Sequence, residues 1–475
     1  MFTQLPIRID VGPTNPVTGE HLPKGWSLSR LGSLGTFRKG RGGSREDDDD
    51  SGAACVRYGD LYKLDRPHIS EPATRISRGA AERYTPIASG DVLFALSGES
   101  QADIGKSSVC LIREPTFCGG DTAVLTPSSA VLPEFLGYAL TTPRAVAQKS
   151  QRGRGDIIVH VSVGALKQLT LPVPSRDEQV AIVKYLAHAH ARIDRTIAAK
   201  RKLIALLEEQ KQAAIQQAVT RGLDPSVPLK DSGIPWLGKI PAHWAVHRAK
   251  HIFNEFDTRS GTGLEPLLSL RAAAGLVFHA DFSARPIGPE ALVKYKKVAA
   301  GHFVMNRMRA ASGLFAISAN DGLVSPDYST MEVSESVDGR FYLRLVKTRA
   351  AMAEFRRQSS GLGTGESGFM RLYSENFGRI ALPVPPLVEQ KSILAELADF
   401  EQKDREIAAR TRKEIELLVE FRTRLTSDVV TGQVDIREIA ATLTELLDEP
   451  ITNLAVAEAD DDAIEIECDP DGADE

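Results

Sequence analysis

Apolar residues recur at helical spacing over two long stretches of the chain. In the first, Ile182, Leu186, Ile193, Ile197, Ile204 and Leu207 follow one another mostly in steps that sum to seven. The second carries Ile393, Leu397, Phe400, Ile407, Ile415, Leu418, Leu425 and Val429, with a stutter expected near Thr411. Neither stretch contains Gly or Pro before Gly222 or Gly432. Each therefore predicts a helix of about 44 residues, roughly 65 Å long. Asp177 and Glu178 stand in a first turn, where the helix dipole favours acids. A narrow apolar stripe on so long a helix requires a partner, and the most economical one is the other copy. The alternative is two amphipathic helices, each packed separately on its own domain.

The two stretches are copies. LPVP at Leu171–Pro174 returns as LPVP at Leu382–Pro385, an offset of 211, and Glu178-Gln179 returns as Glu389-Gln390. The register holds without a gap through Leu206-Leu207/Leu417-Leu418 to Asp224/Asp435. Upstream of each copy lies a variable segment that opens on a Trp motif, LPKGWSLSRL around Trp26 and IPAHWAVHRA around Trp244. GDVLFALSG at Gly90–Gly98 and GHFVMNRMRAASG at Gly301–Gly313 each predict a buried strand entering a Gly-containing turn. The likeness between the variable segments is otherwise faint. A duplicated scaffold with diverged loops suits a protein whose halves recognise different things.

The predicted division is a leader over 1–22, a variable domain over 23–170, a helical segment over 171–222 and a linker over 223–243. A second variable domain over 244–380, a second helical segment over 381–440 and an acidic tail over 441–475 complete it. The fold class is α+β: two mixed α/β domains separated by two long helices in a pseudo-twofold repeat.

The net charge of −5 is unevenly spread. Between Glu445 and Glu475 stand 13 acids and no Lys or Arg, which leaves +8 on the preceding body. The tail is expected to be disordered. A further acidic run, 46–50 within GRGGSREDDDDSG, reads as a flexible surface loop. The basic body is compatible with a phosphate-facing surface. No apolar run approaches the roughly 20 residues of a membrane helix, and the N-terminus has no signal-peptide pattern, so a cytoplasmic protein without membrane association is expected. Cys55, Cys110, Cys118 and Cys468 show no CxxC spacing and read as small buried side chains.

Catalytic motifs fail on inspection. SQADIGKSS ends like a phosphate loop at Gly105-Lys106-Ser107, but Ser100 stands where the first Gly is needed. Glu389-Gln390-Lys391 resembles the end of a nuclease motif yet lies at a helix start, and reads as capping and surface charge. GLGTGESG at 361–368 lacks a preceding apolar strand. His188 and His190 are two apart and face different ways on a helix, which argues against a shared metal. No NPPY-type methyltransfer motif is present.

LPVP followed by Glu178-Gln179, LPVPPLVEQ at Leu382–Gln390, DSGIPWLGKIPAHW at Asp231–Trp244, MNRMRAASG at Met305–Gly313 and VSPDY at Val324–Tyr328 together resemble the specificity subunit of type I restriction-modification enzymes. The resemblance covers about residues 23–440, and the first domain matches less well than the second. It implies two target recognition domains, each reading half of a split, asymmetric site in double-stranded DNA, joined by an antiparallel helical spacer. It also implies a chain with no catalytic residues, metal or cofactor of its own. S-adenosylmethionine, ATP and Mg would belong to partners: two modification subunits and the restriction subunits. The other reading is a coiled-coil scaffold that organises partner proteins without touching DNA. If the spacer acts as a ruler, four residues inserted after Thr220 should lengthen the gap between half-sites.

Loop Arg residues beside Gly are the best DNA candidates, because a guanidinium can grip phosphate or pair with guanine. In the first domain these are Arg152 and Arg154 of QRGRGD, with Lys106 as a phosphate contact by the resemblance. In the second they are Arg307 and Arg309 after the FVMN strand, the run Lys294, Lys296 and Lys297 before it, and Arg371 after the Gly-rich segment 359–368.

Overall fold

The computed structural model describes residues 11–14, 21–64, 66–283, 287–362 and 369–443. The predicted acidic tail from residue 444 onward, Cys468 and the Gly-rich stretch 363–368 lie outside them. The chain forms two compact units. One comprises Met1–Arg201 with Lys413–Glu475, and the other Lys202–Arg412.

In the first unit, four strands, β1 (Gly35–Lys39), β2 (Val92–Ala95), β3 (Ser107–Cys110) and β4 (Thr122–Pro127), form an antiparallel sheet in the order β1-β4-β2-β3. His68–Ile69 extends it in parallel beyond β3. Alternate residues of β2 face opposite ways, so Phe94 enters a core with Phe135, Leu136 and Ile182. Leu93 and Ala95 enter another with Val56, Cys110 and Cys118. Helices α1 (Pro133–Leu140) and α2 (Pro143–Ser150) follow the sheet, and the long α3 (Arg176–Arg221) begins after LPVP.

The second unit repeats this order. Strands β5 (Phe253–Phe256), β6 (Phe303–Asn306), β7 (Phe315–Ile317) and β8 (Tyr328–Val333) form a sheet ordered β5-β8-β6-β7, the sequence of neighbours seen in the first. Helices α4 (Gly339–Val346) and α5 (Arg349–Gln358) follow, and then the long α6 (Leu387–Val430). Thr142 and Thr348 cap α2 and α5 identically, each side chain accepting the N–H three residues on. Seven residues after each Thr stand Lys149 and Phe355, both buried.

The long helices run antiparallel. His190 meets Thr426 at 2.8 Å, Asp194 meets Arg422 at 2.9 Å and Lys200 meets Glu414 at 2.5 Å, so numbers rise on α3 as they fall on α6. The stutter expected near Thr411 does not occur. The inward row runs Leu397, Glu401, Asp404, Ala408, Thr411, Ile415, Leu418 without breaking its sevenfold period, and Ile407 is exposed. Small and polar side chains hold the middle of the row, which is why an apolar pattern lost it. Glu401 is buried there by a two-pronged pair with Arg344 of α4 at 2.5 and 2.7 Å.

Each unit takes in the start of one long helix and the end of the other. Ile182 and Leu186 from α3 share the first core with Leu425, Val429 and Val430 from α6. Ile393 and Leu397 from α6 share the second with Ile215, Ala218 and Val219 from α3. Gly432 and Gly222 end the helices in left-handed conformations, at φ +75° and +74°. Gly432 abuts Trp26, and Gly222 abuts Trp244. Thr220 therefore lies beyond the residues that fix α3 in the second core, and an insertion there would not separate α3 from that domain.

The acidic run 46–50 is not a flexible loop. Arg45–Asp47 forms a 3-10 turn and Asp48–Val56 a strand. Asp47 is buried, accepting from the Tyr84 hydroxyl at 2.9 Å and pairing with Arg83, while Asp48 pairs with Arg57. Composition alone hid these partners, which are distant in sequence.

Candidate nucleic-acid interface

In the first unit the chain leaves β2 at Leu96, whose carbonyl accepts the Val161 N–H at 2.9 Å. The next residue, Ser97, bonds His160 Nδ1 at 2.9 Å. His160 and Arg154 exchange backbone hydrogen bonds at 2.8 and 2.9 Å, closing a short hairpin that projects from this junction. Arg154 is exposed at its base, and Arg152 is half-buried with Nη1 donating to the Gln148 carbonyl at 2.7 Å. The turn after Ser97 folds back on the same ground, Gln101 donating to the Ser150 carbonyl at 3.2 Å. Lys106 is half-buried beside it. Under Lys106 the Lys149 ammonium is enclosed, reaching the Leu140 carbonyl at 3.1 Å. Burial pushes its pKa down to about 7, and the Lys106 charge adds to the effect. The structure thus gathers Lys106, Arg152 and Arg154 at one junction.

The second unit closes the equivalent junction with the same bond. The Leu372 N–H donates to the Arg307 carbonyl at 2.8 Å, and both positions lie 211 residues beyond Val161 and Leu96. Arg307 donates to the backbone carbonyls of Asp327 and Pro326 at 2.7 and 3.0 Å. Arg371 donates to the Asp327 carboxylate at 2.9 Å and lies 6.0 Å from the Tyr373 ring. Asp327, from the VSPDY motif, therefore holds two guanidiniums together. Arg309 is half-buried in the same turn, at the N-cap of a 3-10 segment, Ala310–Ser312.

The basic run Lys294, Lys296, Lys297 is a different surface. Lys294 is exposed, and its carbonyl accepts Arg259 Nη1 at 2.7 Å. Lys296 is buried beside Asp257 at 3.8 Å, and burial lowers its pKa. Lys297 pairs with Glu265 at 2.7 Å. That hydrogen bond and one from Ser260 hold the Glu265 carboxyl well below the usual range. Lys296 thus serves the packing of the domain, whereas Lys294 and the Lys297 side chain, 44% exposed, reach solvent.

The Gly105-Lys106-Ser107 turn leads into β3 rather than a helix, so no helix N-terminus awaits a phosphate there. Among the described residues no group of His, Cys, Asp and Glu is arranged to hold a metal, and no helix is long and apolar enough to cross a membrane.

The family model for the type I restriction modification DNA specificity domain matches residues 23–209, the first variable domain and the larger part of α3. The chain is 21% identical over 453 residues to the type I restriction enzyme MjaVIII specificity subunit of Methanocaldococcus jannaschii, covering 89% of this chain and 96% of that one. The chain is thus similar, over most of its length, to specificity subunits of type I restriction-modification enzymes. The putative type I restriction enzyme MjaX specificity subunit of the same organism is 24% identical over 378 residues, covering 73% of this chain and 79% of its own. A chain solved in a study of complex assembly and conformational transition of the type I R-M system superposes with a TM-score of 0.58. It is 17% identical, covers 87% of this chain and 99% of its own, and shares the fold.

Sequence reasoning missed several residues of these junctions. Asp327 stands in the VSPDY motif without a signal that marks its ion pairs, and Ser97 and His160 carry no local signal. Gln179 and Gln390 are visible as a repeat; of 389–391, read as capping and surface charge, Gln390 departs in being buried, while Lys391 is exposed.

Proposed function

We propose that this chain is the specificity subunit of a type I restriction-modification enzyme, that it binds a bipartite, asymmetric site in double-stranded DNA, and that it brings modification and restriction subunits to it. Each domain reads one half-site. The observation that carries the reading is the equivalent junction in the two units, Leu96 with Val161 and Arg307 with Leu372, built on one backbone bond and dressed with different cations. Phosphate contacts set register without reading sequence, while base-edge contacts specify. A constant frame with divergent side chains serves both needs. Lys106, Arg152 and Arg154 are the candidates in the first domain, and Arg307, Arg309 and Arg371 in the second, with Lys294 on a flanking surface. S-adenosylmethionine, ATP and Mg belong to the partner subunits, of which two carry modification.

Methylation mapping in a host expressing this chain with its modification subunits should return one split sequence. Replacement of residues 244–380 by the second domain of another specificity subunit should change one half-site and leave the other. Loss of both halves in an assembled complex would show that the domains are not independent readers. A complex that assembles but shifts no DNA would favour the scaffold reading.

A further inference from the structure

The hairpin between Arg154 and His160 carries at its tip two large apolar side chains with nothing to cover them. Ile157 is 88% exposed and Ile158 55%. Side chains so placed gain nothing from burial in the free chain. The tip is nevertheless held firmly. Arg154 and His160 bond through both backbone groups, His160 is tied to Ser97, and Val159 is buried between them. Gly155 stands at φ +121°, and a Cβ there would lie 2.1 Å from the Ile158 carbonyl oxygen, so this backbone path is open only to glycine. The hairpin is shaped to present the pair.

We propose that Ile157 and Ile158 read thymine in the first half-site by packing on its C5-methyl group in the major groove. This rests on the DNA-binding reading above and adds to it the residue type that specifies a base. The charges around the tip sort the contacts. Arg152 and Arg154 stand at the hairpin's base, where cations meet the backbone, whereas the tip itself holds Asp156 and two Ile residues. A carboxylate is repelled by phosphate but accepts from the cytosine amino group, and apolar side chains contact the thymine methyl. The tip is therefore unsuited to the phosphate backbone and suited to base edges. The methyl is displayed only in the major groove, about 12 Å wide, which admits a two-stranded ribbon.

The test uses the full chain assembled with its modification subunits and a duplex carrying the mapped site. Deoxyuridine in place of thymidine at each first-half position removes one methyl. At one position it should weaken binding about fourfold, the worth of one buried methyl-sized group. The Ile157→Ala/Ile158→Ala variant should bind the thymidine and deoxyuridine duplexes equally, with its salt dependence unchanged. The same loss in variant and parent, or a first half-site made only of G·C pairs, overturns the proposal. Failure of the variant to assemble with modification subunits also overturns it, because the tip would then be a protein contact. Absence of any sequence-specific binding by the parent complex would instead sink the DNA-binding reading itself.

Discussion

The Gln390 side-chain carbonyl accepts the backbone N–H of Asp338 at 2.8 Å, and its amide donates to the Pro385 carbonyl at 2.8 Å. Its repeat partner Gln179 does the same for Leu132 at 2.7 Å and for Pro174 at 3.1 Å. Asp338 and Leu132 are the N-cap residues of α4 and α1, so in each unit a fully buried Gln in the first turns of the long helix fastens the first short helix after the sheet. Glu-Gln recurs because this joint recurs.

Replacement of Gln179 or Gln390 by Leu, which keeps volume, leaves a buried N–H without its acceptor. Each should lower stability by roughly 2 kcal/mol, read from urea unfolding. Glu389→Gln, which weakens the partly exposed contact with His243, should cost under about 1 kcal/mol. Equal losses in the three variants would show that the Gln joint has no special weight.

Much of this frame is legible in the sequence, because helices announce themselves by period and the repeat by register. The helix ends fall where Gly222 and Gly432 stand, and strands emerge at FVMN and VLFA. What could not be read is pairing across distance. Asp47 with Tyr84 and Asp327 with Arg371 join residues tens of positions apart, and neither pair carries a local signature. The row through Glu401 and Thr411 was missed for another reason: burial there is earned by an ion pair and small volume rather than by apolarity. The candidate cations were identifiable as a class, but the sequence did not separate buried Lys296 from exposed Lys294.

His190 should make the first unit acid-sensitive. Its ring packs edge-on against Tyr138 and bonds the Thr426 hydroxyl, facing Arg422, Arg66, His68 and Asp194. Burial, reinforced by Arg422, pushes its pKa down to about 4, from an ordinary value near 6.5. The folded state then binds fewer protons than the unfolded one across that interval. The stabilisation is complete above pH 6.5 and is lost as pH falls towards 4, on the order of 3 kcal/mol in all. His190→Gln should flatten the unfolding profile between pH 6.5 and 4, and an unchanged slope would assign the acid sensitivity to other groups.

Asp327 should tune how strongly the second domain grips DNA. Its carboxylate lies 3.5 Å from Arg307 and 2.9 Å from Arg371, offsetting charge on both. Asp327→Asn keeps the shape and removes the offset. Non-specific affinity of the assembled complex should rise at low salt, and the salt slope should steepen by about one phosphate contact. Discrimination at the second half-site should fall, since the guanidiniums lose a positioning partner. Arg371→Ala should weaken binding and shallow the slope. A salt slope unmoved in both variants would remove this cluster from the interface.

The reciprocal packing of the long helices decides how a ruler can be lengthened. The second core holds Ile215, Ala218 and Val219 of α3 as well as Ile393 and Leu397 of α6, and the first core likewise holds both helices. Neither helix can slide alone without stripping apolar side chains from a core. The insertion must therefore be matched, four residues after Arg201 and four after Arg412, at the boundaries where the chain passes between units. Each adds roughly 6 Å and about one turn, so the inward rows nearly keep their facing. DNA rises about 3.4 Å per base pair, and the recognised gap should grow by one or two base pairs with both half-sites unchanged. A matched insertion of two residues turns the rows by about 200° and should abolish specific modification. Four residues after Thr220 alone should leave the gap as it was, because they fall beyond the side chains that anchor α3. Methylation mapping of the three variants separates these outcomes. An unchanged gap in an active complex carrying the matched four-residue insertion would show that the helices do not set the spacing.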